Sequence, residues 1–165
     1  MASTLDLLKN LSVHEVDFVV VGGVAGVLHG SRLVTQGLDV CAPLTLKNLT
    51  RILSALAGLN PRFRMTTDNR PLPGDPADLA GYRNLYLLTD LGQLDILSEI
   101  TGIGGYEEVA RHTIAVDLGG ANCRVLDLDT LIRAKKALNL AKDRQAVVEL
   151  EAIRERISGR QNGTE

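Results

Sequence analysis

The sequence predicts an α/β (α+β) fold: a small, mixed, twisted sheet with flanking helices and further helices at its C-terminal end. Three observations lead there. The run Phe18-Val19-Val20-Val21 is continuously apolar and rich in β-branched residues, the pattern of a buried strand, and Gly22-Gly23 turns it directly into a short helix. Residues 83–89 and 93–98 have strand character and are joined by Asp90-Leu91-Gly92, the connection of a hairpin. Beyond Asp127 the apolar residues change to helical spacing, ending with Ala146, Leu150, Ile153 and Ile157.

The elements follow in chain order from local pattern. Leu5, Leu8 and Leu11 share one side of a helix over Thr4 to Val13, suited to covering an edge or face of the sheet. After the strand at 18–21 and its glycine turn, an apolar segment closes at His29-Gly30, with Gly30 as C-cap. A second strand starts near Leu38 and carries Asp39. Thr45 caps a helix with Leu46, Leu49, Leu53 and Leu56 on one face, and residues 58–61 end it. Pro61, Pro71, Pro73 and Pro76 crowd the next stretch; Arg62 to Met65 has the character of a short strand, and Asn69 to Ala80 is expected to be a loop. Residues 102–105 form a turn, 107–111 a helical turn, and 113–118 with 123–126 another strand pair around Gly119-Gly120. Asp127 or Asp129 caps a helix reaching Leu138, and Asp143 starts the last one. Residues 1–158 are expected to form one domain, with 159–165 a flexible tail.

Composition narrows the functional classes. A net charge of −2 supplies no general attraction to nucleic acid or to an anionic membrane. With 3% aromatic residues and no Trp, there is no base-stacking platform for single strands. Cys41 and Cys123 have no ligand spacing and read as buried thiols of a reducing compartment. The N-terminus lacks a basic region followed by a long apolar run, and no segment approaches the ~20 apolar residues of a membrane span. A cytoplasmic protein without membrane contact is expected. His14, His29 and His112 are too scattered for a metal cluster.

Residues that carry chemistry gather around the first glycine turn. Backbone N–H groups at Gly22, Gly23 and the first helical turn, with the positive end of the helix, would suit a phosphate. Positions 37 and 39 share one face of the following strand, and Asp95 opposes Leu94 and Ile96 on a later one. Asp is depleted in strands, so two strands each presenting an acid are informative. A divalent cation, Mg²⁺ or Mn²⁺, uses one or two carboxylates plus phosphate oxygens. Asp39 and Asp95 are therefore the expected catalytic residues and metal ligands. Gly22, Gly23, Ser31, Arg32, Lys135 and Lys142 are the expected contacts of a nucleoside triphosphate, with Lys136 a further cation on the same helix. Asp143 either orients a lysine or caps its helix. Arg62, Arg64 and Arg70 form either a basic grip on triphosphate or acceptor or a solvated loop. Two neighbouring carboxylates repel, so neutralising Asp39 or Asp95 is expected to leave stability unchanged or raised. The glycine run Gly22-Gly23-Val24-Ala25-Gly26 lacks the G-x-G-x-x-G register of a dinucleotide fold.

VGG at Val21 to Gly23, HGS at His29 to Ser31, Thr35 and the Leu38-Asp39 step together resemble nucleotidyltransferases of the DNA polymerase β superfamily. The resemblance is to the small bacterial branch that includes abortive-infection toxin-type enzymes. It extends to Gln93-Leu94-Asp95-Ile96-Leu97, to Leu126-Asp127-Leu128 with Leu131 to Lys136, and to Lys142-Asp143-Arg144, covering about Asp17 to Leu150. It implies that Gly22 and Gly23 are the glycine motif, that Asp39 is the second acid of an alternating pair, and that Asp95 is the third acid. The first acid's position holds Gly37. In that family the acids hold two Mg²⁺ ions and a nucleoside monophosphate passes to an acceptor hydroxyl, on RNA, protein or a small molecule, as pyrophosphate leaves. Gly37 implies chemistry impaired more than triphosphate binding. The other reading the resemblance allows is a non-catalytic member that binds nucleotide or a protein partner, for example within a toxin–antitoxin or defence system.

Overall fold

The computed structural model describes residues 2–162, and its architecture is mixed α/β. Helix α1 (Ala2–Val13) is followed by β1 (Val19–Val21), α2 (Gly22–Leu28), β2 (Gly37–Cys41) and α3 (Leu46–Leu56). Next come β3 (Arg62–Phe63), a 3₁₀ turn (Pro76–Leu79), the hairpin β4 (Asn84–Thr89) and β5 (Gly92–Leu97), and a small separate pair, β6 (Glu99–Ile100) and β7 (Gly104–Gly105). The chain continues through α4 (Tyr106–Ala110), β8 (Thr113–Asp117), β9 (Asn122–Leu126), α5 (Leu128–Leu138) and α6 (Ala141–Asn162). The main sheet has seven strands in the order β3-β4-β5-β2-β1-β9-β8. Pairs β2–β5 and β1–β9 are parallel and the others antiparallel.

Strand period two divides the work of the sheet. Leu38 and Val40 of β2, Leu94 and Ile96 of β5, and Leu85 and Leu87 of β4 are all buried on one face. They belong to the same core as Leu7, Leu8 and Leu11 of α1 and Leu49, Ile52 and Leu56 of α3. Each such side chain stabilises the fold by roughly 1.5–3 kcal/mol, so this face is the main source of cohesion. The opposite face of β2 and β5 carries Asp39, Asp95 and Gln93 beside Gly37, Cys41 and Leu97.

Local signals place the helices. The Thr45 hydroxyl accepts from Asn48 N–H at the start of α3. Asp127, not Asp129, caps α5 by accepting from Thr130 N–H, while Asp129 pairs with Arg154. Helix α6 begins at Ala141, so Asp143 sits inside its first turn rather than at the cap. The proline-rich stretch is not loop throughout: Pro76 opens the 3₁₀ turn with its preset φ, Asp75 caps it, and Leu79 is fully buried. Helix α6 continues through Gly159 to Asn162, where a tail was expected, although Ile157 is already exposed; Met1 and residues 163–165 lie outside the described residues. Among the described residues no helix is long and apolar enough to cross a membrane.

Candidate functional site

Three strands bring the site's residues into one row. Asp39 is the partner of Asp95 across the parallel β2–β5 pair, and Asp95 is the partner of Tyr86 across β5–β4. Directly paired residues share a face, and adjacent strands lie ~4.8 Å apart, so the two carboxylates and the phenol stand side by side. They floor a cleft of about 810 Å³. That is within the range of roughly 300–1,000 Å³ that holds a small-molecule ligand. The loop from Ser31 to Gln36 forms one wall, and Lys135, Lys142 and Asp143 of α5 and α6 form another.

The glycine turn is shaped first by this chain's own side chains. Gly22 has φ +66°, and a Cβ there would run into the Asp39 carboxylate. A Cβ at Gly23 would stand 2.6 Å from Thr35 Oγ1. The two glycines thus let Asp39 and Thr35 lie against the start of α2, a helix of seven residues. Bare backbone at this turn is required before any phosphate arrives.

Charge is distributed unevenly over the two acids. Burial, then the neighbouring Asp95, pushes the Asp39 carboxyl up to about 6, against the opposing pull of Lys135, Arg64 and Lys142. Asp95 is matched directly: Arg64 Nη2 donates to both its oxygens, at 2.6 and 2.7 Å. The Arg64 backbone N–H is bonded to the Tyr86 carbonyl, and its guanidinium lies 5.8 Å from the Tyr86 ring centre. This ion pair was not legible in the sequence, because 31 residues separate the partners and the arginine follows a two-residue strand. The one available signal was an Arg within a strand-like run.

The other expected site residues are placed as follows. Lys135 is mostly buried, 3.7 Å from Asp143 Oδ1, and Lys142 lines the same wall from an exposed position. Asp143 itself is buried, and its Oδ2 has no hydrogen-bond partner among the described residues. Ser31 lines the cleft, but its hydroxyl donates to Glu149 of α6. Arg32 offers its backbone N–H to the same Glu149 and does not line the cleft. Lys136 turns away to Glu151 at 2.7 Å. Of the basic stretch, Arg64 alone lines the cleft, while Arg70 lies over the Phe63 ring. His29 bonds the Leu126 carbonyl and joins α2 to β9.

Gly37 has a neighbour that the sequence did not reveal. It pairs with Gln93 across β2–β5, and a Cβ at position 37 would stand 2.7 Å from Gln93 Cβ. The space of a side chain at 37 is therefore already taken.

Asp39 and Asp95 offer carboxylate oxygens suited to a divalent cation, and both oxygens of Asp95 are engaged by Arg64. Among the described residues no group of three His, Cys, Asp or Glu that could hold a metal ion is assembled. No protein-family model matches the sequence, and no curated protein matches it.

Proposed function

We propose that the cleft binds a nucleoside triphosphate together with a divalent cation, and that the protein is a nucleotidyltransferase-type protein resembling the DNA polymerase β superfamily. It passes a nucleoside monophosphate to an acceptor hydroxyl on RNA, protein or a small molecule, at a rate impaired by the glycine at position 37. The observation that carries this reading is the in-register Asp39–Asp95 pair on the floor of a ligand-sized cleft. Charge supports it. Asp39, Asp95, Glu99 and Asp143 face Arg64, Lys135 and Lys142, so a bare triphosphate meets no net positive field and binds more tightly with an accompanying cation. Asp39 and Asp95 would hold Mg²⁺ or Mn²⁺, and Lys135 and Lys142 would face phosphate oxygens. When bound, the cation neutralises phosphate charge and activates the acceptor hydroxyl. The acceptor oxygen bonds to the α-phosphorus as the bond to pyrophosphate breaks, and the hydroxyl proton is released to water. Two buried free thiols suit a reducing cytoplasm.

A second reading, a non-catalytic protein that binds nucleotide or a protein partner, is favoured by the Arg64–Asp95 pair and by Gln93 filling the space beside Gly37. Mg²⁺-dependent thermal shifts with each triphosphate test binding. A shift in the wild type that is lost in Asp39→Asn supports the site, and no shift with any triphosphate refutes it. Label transfer from triphosphate to mixed cellular RNA and protein then separates the readings. Gly37→Asp alone should fold poorly because of Gln93, so the informative chain is Gly37→Asp with Gln93→Gly. Losing most of one cation's effect costs roughly 10²–10⁴ in rate. Transfer by the double variant well above wild type supports an impaired transferase, and binding without transfer by either supports the second reading.

A further inference from the structure

We propose that Arg64 is a latch on the metal position: its guanidinium stands in for a divalent cation on Asp95, and a triphosphate releases it by drawing it onto phosphate oxygens. This rests on the proposed triphosphate site and specifies how that site is regulated. A single nitrogen, Nη2, contacts both oxygens of Asp95, so the carboxylate's inner face is covered by a cation. An approaching divalent ion meets a like charge and finds one of its two carboxylates engaged.

The geometry allows release without backbone movement. The Arg64 N–H is fixed to the Tyr86 carbonyl at 2.9 Å, in continuation of the β3–β4 pairing, so the side chain alone has to swing. The guanidinium has spare donors. Nη1 reaches only the Met65 thioether, at 3.6 Å, and Nε is buried with no partner among the described residues. A phosphate group offers several acceptor oxygens to a planar fork of donors, and it satisfies more of them than Asp95 does. The same swing that brings Arg64 onto phosphate frees Asp95 for the cation the triphosphate carries, so the empty cleft is guarded against metal alone. Asp95 has the latch and Asp39 has none: the cations acting on Asp39 are not in ion pairs with it.

The test uses one substitution with two readouts of opposite sign. In the full chain, Arg64→Gln should bind Mn²⁺ alone at least about tenfold more tightly than wild type, followed by the resonance of the free ion. The same variant should bind a non-hydrolysable adenosine triphosphate analogue in EDTA about tenfold more weakly, by calorimetry. Arg64→Lys, which keeps the charge, should stay near wild type for Mn²⁺ and shows that a folded chain is being compared. Adding Asp95→Asn to Arg64→Gln should erase the Mn²⁺ gain. Equal Mn²⁺ affinity in wild type and Arg64→Gln overturns the latch, and so does a gain that survives Asp95→Asn. A Mn²⁺ gain with undiminished binding of the analogue overturns the release onto phosphate. Failure of the wild type to bind the analogue, with or without metal, instead overturns the triphosphate site, and the Mn²⁺ comparison is read independently of it.

Discussion

Burial and Asp95 raise the Asp39 carboxyl from 3.8 to about 6. The folded chain therefore holds this proton more tightly than the unfolded chain does. Stability is fully present below the unfolded value of 3.8 and is lost as pH rises through about 6. Asp39→Asn removes that penalty. It should raise the unfolding free energy at neutral pH by up to about 3 kcal/mol, and the advantage should close below about pH 4. Urea denaturation at the two pH values checks both parts. Asp95 behaves differently, because Arg64 bonds both its oxygens in a half-buried position. Asp95→Asn should cost about 1–3 kcal/mol by leaving the guanidinium short of a partner. The two acids are therefore expected to respond differently: burial first and then the neighbouring Asp95 act against the charge on Asp39, while Asp95 carries the two bonds from Arg64.

Among the elements, α3 shows how a buried polar residue fixes a junction. Asn48 is 2% exposed, yet every polar group on its side chain is used. Its Oδ1 accepts from Asp17 N–H, and its Nδ2 donates to the carbonyls of Asp17 and Pro43. The residue thereby joins the start of α3 to the segment that leads into β1, upstream of the glycine turn. Asn48→Ala should destabilise by about 2–4 kcal/mol, more than the ~1 kcal/mol expected for the exposed-side cap change Thr45→Ala. Thermal unfolding of the two variants side by side checks the ordering, and a smaller loss for Asn48→Ala would show that water replaces its bonds.

At the scale of the whole molecule the two thiols report on global opening. Cys41 in β2 and Cys123 in β9 lie in the strands on either side of β1, and both are buried. Burial pushes the Cys41 thiol up to about 12 and raises Cys123 as well. The thiolate is the reactive form, so neither cysteine should react with an aromatic disulfide reagent in the native chain near pH 8. Both should react in denaturant. At intermediate urea their rates should track one another, because both need the central strands to open; a fast native reaction of either would show local opening.

The α/β class, the β1–Gly22–α2 unit, the β4–β5 hairpin and the Thr45 cap were legible because each is written in adjacent residues: β-branched runs, glycine pairs, capping hydroxyls and helical spacing. Asp39 and Asp95 were legible as acids set into apolar strands. Their pairing in one row depended on β2 and β5 being neighbours, and only the folded sheet decided that. The same holds for Arg64 on Asp95 and for Gln93 against Gly37, contacts between segments distant in sequence. Local pattern records which face a side chain occupies, because backbone period is a property of the strand. It does not record which strand lies alongside, because that is set by how the whole core packs.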